Sequence, residues 1–146
     1  MVIFDAMYQR DYILRMIRMM AELIAAILDR IRGRDYQQAA GMIQNAYYDF
    51  LKQDAAFFHS IPEEELTRKL LLEHHYSHGH LEILAELFYA EAELLHATGD
   101  ISGCLACYGK SKLLLEFLLA ESGIYSIEKE DRIIKLEQLI STISLN

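Results

Sequence analysis

Apolar positions recur every three to four residues along most of the chain, which is the spacing of amphipathic helices. The first such stretch runs from about Asp5, a candidate N-cap, to Gly33, a candidate stop. Its polar residues Asp11, Arg15, Arg18, Glu22 and Asp29 share one narrow stripe, and Ile13, Leu14, Met16, Ile17, Met20, Leu23, Ile24 and Ile27 fill the rest. A helix apolar over most of its circumference needs cover on nearly every side, more than one layer of neighbours in a small domain supplies. The pattern predicts a homodimer with this helix in the interface, Met16, Met19 and Met20 adding adaptable surface.

Beyond the turn Arg34-Asp35-Tyr36, Ala39, Ile43, Ala46 and Phe50 line one face of a second helix, with Ala40, Tyr47 and Leu51 beside them. Residues 53–61 form the longest connection, and Phe57 and Phe58 predict that it packs against the body. Ser60-Ile61-Pro62-Glu63 reads as the start of a short third helix ending near His74, and Tyr76 to Gly79 reads as a break. The fourth helix covers about His80 to Thr98, and the fifth starts at Asp100 and runs to about Ser122. A sixth starts near Ser126 with a narrow seam of Ile133, Leu136, Ile140 and Ile143. No strand pattern competes, and seven glycines and one proline supply little turn chemistry for a β fold. The expectation is an all-α, compact bundle of five to six helices in one domain, residues 1–146.

Charge narrows the partners. Lys and Arg balance Asp and Glu over residues 1–60, so the net charge of −8 sits in residues 61–146. That field disfavours nucleic acid and anionic membranes. The N-terminus lacks the basic start of a signal peptide, and Arg15, Arg18 and Glu22 interrupt the most apolar stretch. A cytoplasmic protein is expected, with both cysteines reduced.

Candidate chemistry is sparse. His74, His75, His78 and His80 cluster beside Glu73 and Glu82, but Gly79 argues for a polar turn over a metal site. Glu93 and His96 carry a Glu-x-x-His spacing that di-iron bundles need on two helices, and it occurs once. Cys104 and Cys107 form a C-x-x-C inside a helix, sharing a face with Tyr108, Ser111, Leu114, Leu115 and Leu118, which predicts buried core thiols. Glu91 is the anomaly. It lies opposite the stripe of Glu82, Glu86 and Glu93, among leucines, so its carboxylate requires a buried partner such as a tyrosine or lysine. Neither a phosphate-binding loop nor a nucleophile elbow is present.

Residues 84–118 resemble one tetratricopeptide-type hairpin: Phe88 and Ala92, the turn Gly99-Asp100-Ile101, then Cys104, Tyr108 and Ser111. Residues 20–51 repeat the pattern through Leu23, Ile27, Ala39, Ile43 and Ala46, with Arg30 where that family places an aromatic. The two units are offset by 65 residues, Ala39 to Cys104, against roughly 34 in a regular array. The whole chain, through Tyr8-Gln9-Arg10-Asp11-Tyr12 and Ser77-His78-Gly79-His80-Leu81, also resembles a group of uncharacterised bacterial proteins of this fold type.

The tetratricopeptide resemblance implies two such hairpins and an interaction function, and the bacterial one brings no activity with it. The missing catalytic motifs point to a non-enzymatic chain without a cofactor. The first helix of such a hairpin lines the concave side, so Glu86, Tyr89, Glu93 and His96 are the expected partner-binding face. Two carboxylates, an aromatic and a histidine suit a basic or amphipathic peptide. The matching stripe of the first hairpin, Ala21, Ile24, Leu28 and Ile31, is apolar and expected to be covered. The competing expectation is a metal-binding bundle or enzyme using the His74–His80 turn or Glu93 and His96.

Overall fold

The computed structural model describes residues 2–122 and 126–145, with the first helix described by its backbone alone as far as residue 9. The described residues hold seven helices and no strand: α1 (Val2–Arg32), α2 (Tyr36–Leu51), α3 (Ala55–His59), α4 (Glu63–Arg68), α5 (His78–Ala97), α6 (Ile101–Ser122) and α7 (Ile127–Leu145). The one helix beyond the expected count is α3, a single turn inside the long connection. Asp54 starts it by accepting the Phe57 N–H at 2.9 Å, and burial of Phe58 holds it down.

Several boundaries move for local reasons. No glycine or proline interrupts residues 2–4, so α1 begins at Val2 and Asp5 lies within it. Ser60 is used at the end of α3, its hydroxyl donating to the Phe57 carbonyl, so α4 starts behind Pro62 instead. Lys69–Glu73 continues α4 as a π-helical turn, and His75 then takes a left-handed φ of 58°. Ser77 restarts the chain with a capping box: its Oγ accepts from the His80 N–H, and its own N–H donates to His80 Nδ1 at 3.0 Å. Gly79 is thus inside α5, where a Cβ would come within 2.1 Å of Ile13 Cγ2. Its bare backbone lets α5 lie close on α1. At the α5–α6 turn, Gly99 supplies φ +91° and Asp100 caps α6 through the Gly103 N–H, as its sequence predicts.

α5 is the centre of the packing, touching α1, α2 and α6, while α7 closes on α6. From Leu81 to Ala92 every residue of α5 is buried except Glu82 and Glu86. The expected faces of α2 and α6 point into the same core, with Ala39, Ile43, Tyr47, Tyr108 and Leu114 at 0% exposure. Ile133, Leu136 and Ile143 form the buried seam of α7. α1 differs. Met16, Met20, Ile24 and Ile27 are buried, yet Tyr12, Leu14 and Met19 are 47%, 46% and 53% exposed. Within one chain this helix is covered on one side only. The stripe matched to the first hairpin is accordingly mixed: Ile24 is buried, Leu28 and Ile31 are half-buried, and Ala21 is exposed.

Candidate functional site

Glu91 organises the polar centre of the fold. Its carboxylate is carried into the interior because α5 is buried on nearly all sides, and burial obliges it to find partners. Tyr47 from α2 donates its hydroxyl to Oε1 at 2.6 Å, and His59 Nε2 lies 2.8 Å from Oε2. With the carboxylate ionised, Nε2 is the donor of that second bond. Burial, followed by the field of Glu91, raises the Tyr47 pKa well above its ordinary value, so the phenol stays a neutral donor. The expected tyrosine partner is present. His59 is the addition that sequence periodicity did not reveal.

Two more groups complete the cluster. Cys107 of α6 brings its sulfur to the same point: one ligand atom each from His59, Glu91 and Cys107 lies within 4.8 Å of the other two. Lys110, one turn further along α6, is buried and sends its ammonium to the carbonyls of Phe58 and His59, at 3.4 and 3.2 Å. Burial lowers its pKa, and Cys107, Glu63 and Glu91 pull the other way. Both cysteines are free and buried, as expected. Burial pushes the Cys104 thiol up to about 11 and raises Cys107 too, with Glu91 adding to the latter. Neither is set up as a free nucleophile. The rim of the cluster is His59, whose side chain is about one-third exposed (34%).

Rings hold the frame. Tyr47 stacks on Phe58 at 5.7 Å and meets Phe88 edge-on at 6.3 Å. Phe57 packs against Phe58 and His74. The four expected turn histidines are dispersed. His74 is edge-on to Phe57, His75 is exposed, His78 meets Phe117, and His80 caps α5, its pKa lowered by burial.

The stripe of Glu86, Tyr89, Glu93 and His96 is not the open face that α5 alone suggests. Tyr89 is 3% exposed because α7 lies over it, with the Arg132 guanidinium 3.9 Å from its ring centre and Lys135 Nζ donating to its hydroxyl at 2.8 Å. Glu86 pairs with Arg132 at 3.5 Å, and Glu82 with Lys129 at 3.2 Å. Glu93 accepts from Tyr108 at 2.5 Å, which leaves His96 as the exposed member of the four. The acidic stripe does meet basic side chains, but these are Lys129, Arg132 and Lys135 of α7 in the same chain. The charges complement one another before any partner arrives. Beside these pairs a cleft of about 270 Å³ separates α1 from α7, and Arg132 Nη1 is buried at its edge without a hydrogen-bond partner.

No described helix is long and apolar enough to cross a membrane. No family model matches the chain, and no match was found among curated proteins or among solved structures.

Proposed function

We propose that the chain is a non-enzymatic interaction module, built on two tetratricopeptide-like hairpins, α1–α2 and α5–α6, that associates with a second copy of itself through α1. The observation that carries this reading is the exposure of Tyr12 and Met19, two turns apart on one face of the helix. Support for the hairpin assignment comes from α5 lying against both helices of the first pair and its own partner α6.

The surface favours a second copy because it is self-complementary. Tyr12, Met19, Leu23 and Ala26 follow one line along α1, with Arg15 and Glu22 on its edge. Crossing two such helices antiparallel at Met19 sets Tyr12 of each against the small Ala26 of the other. The same crossing places Arg15 beside the opposing Glu22, twice, as a two-fold interface requires. Methionine at the crossing point tolerates imperfect fit.

Light scattering at micromolar concentration tests this. The wild-type chain should run at twice its 16.9 kDa mass, and Met19→Glu should return it to one chain with unchanged helicity. A monomeric wild type, or a dimer indifferent to Met19→Glu and Tyr12→Glu, overturns the reading.

A further inference from the structure

We propose that His59, Glu91 and Cys107 form a binding site for one divalent ion of the zinc class. Three elements of the fold, the end of α3, the middle of α5 and the middle of α6, deliver an imidazole nitrogen, a carboxylate oxygen and a sulfur to one point within 4.8 Å. A soft sulfur and a borderline imidazole beside the one carboxylate select Zn²⁺ or Co²⁺ over Mg²⁺ and Ca²⁺, which demand oxygen ligands.

The surroundings suit an ion in three ways. Tyr47 occupies Oε1 of Glu91, which fixes the carboxylate and directs Oε2 toward His59. Charge closes among the ligands themselves, because one carboxylate and one thiolate neutralise a dication and a neutral imidazole adds nothing. Entry is from the side of His59, the ligand at the surface, whose side chain is 34% exposed against 12% for Glu91. Lys110 does not compete for the carboxylate, as its ammonium is bonded to the Phe58 and His59 carbonyls.

On binding, the ion displaces the thiol proton of Cys107, which leaves to solvent. His59 exchanges its hydrogen bond to Oε2 for a bond to the ion, its proton residing on Nδ1. Water lost from the hydrated ion returns to bulk, and one water fills the fourth position.

Cobalt titration of the untagged, reduced full-length chain is the test. A thiolate-to-cobalt charge-transfer band should rise to saturation at one ion per chain and disappear when zinc is added. Cys104→Ser should keep the band. His59→Ala, at the partly exposed rim where folding is least at risk, should weaken binding by more than about 100-fold, the most that a lost outer partner costs. Tyr47→Phe should weaken it by about 10-fold. Absence of the band in the folded wild type, an unchanged cobalt affinity in His59→Ala, or loss of the band in Cys104→Ser but not Cys107→Ser, each overturns the assignment.

Discussion

α1 and α5 are both long, both rich in apolar residues, and lie side by side, yet they end in opposite environments. α5 is touched by α1, α2 and α6 and carries the basic side chains of α7 on its remaining edge. Its Glu86, Glu91 and Glu93 each have a partner, and Tyr89 is 3% exposed. α1 has α2 and α5 as neighbours, so Arg15, Arg18 and Glu22 face solvent together with Tyr12 and Met19. Apolar content alone does not tell the two apart. The number of neighbouring helices does, and it makes α5 the support of the fold and leaves α1 with apolar side chains exposed.

The strongest way to break this contrast is to delete the same atoms from each helix. Leu84 of α5 is fully buried, and Leu84→Ala should cost about 2–5 kcal/mol through lost transfer energy and the cavity left behind. Leu14 of α1 is 46% exposed and stands on the far side of the polar stripe from Met19. Leu14→Ala should stay within about 0.5 kcal/mol of the wild type. Urea denaturation followed by circular dichroism reads both. Equal losses would mean that α1 is covered after all.

Carboxylates give a second, smaller contrast. Glu22 on α1 is exposed, and Glu22→Gln should leave stability within about 0.5 kcal/mol. At the other carboxylate, Tyr47→Phe removes the donor to Oε1 while keeping the ring stack on Phe58, and should cost about 1–3 kcal/mol. A neutral Tyr47→Phe would show that water reaches Oε1 and that the Glu91 pocket is wet. That result would also lower the expected effect of Tyr47 on metal affinity.

Apart from the one-turn α3, the described helices were legible in the sequence through their own apolar patterns and start signals, and Glu91 stood out because one helix suffices to place it among leucines. His59 was not legible. It reaches Glu91 across 32 residues, through a one-turn helix whose direction depends on Asp54, Phe58 and Ser60 acting together. The stripe of Glu86 and Tyr89 misled for a related reason. On α5 it reads as a solvated face, and only the docking of α7, with Lys129, Arg132 and Lys135 in register, turns it into an interior seam. A sequence pattern reports what a helix needs on each side. Which element meets that need is decided by tertiary packing.

Docking of α7 supplies the smallest and most specific prediction, at one of the two ion pairs described between α5 and α7. Glu86 and Arg132 are each 27% exposed and stand 3.5 Å apart. A partly exposed pair of this kind contributes about 0–1 kcal/mol at most. Burial raises the Glu86 pKa and Glu82 adds to that, outweighing the pull of Arg132, Lys129 and Lys135. The sign follows directly. A carboxyl whose pKa is higher in the folded chain favours folding while protonated, so its contribution is present at low pH and lost as pH rises through the folded value. At neutral pH the ionised Glu86 is therefore a net cost, and the seam of Ile133, Leu136 and Ile143 is what holds α7 in place. Glu86→Gln should leave stability at pH 7 unchanged or raised by a few tenths of a kcal/mol. Its difference from the wild type should shrink as pH falls and Glu86 takes up its proton. Thermal melts of both chains between pH 4 and pH 7 measure this. A loss above about 1 kcal/mol at pH 7 would exceed what such a pair contributes and would make charge, rather than the apolar seam, the reason that α5 is closed where α1 is open.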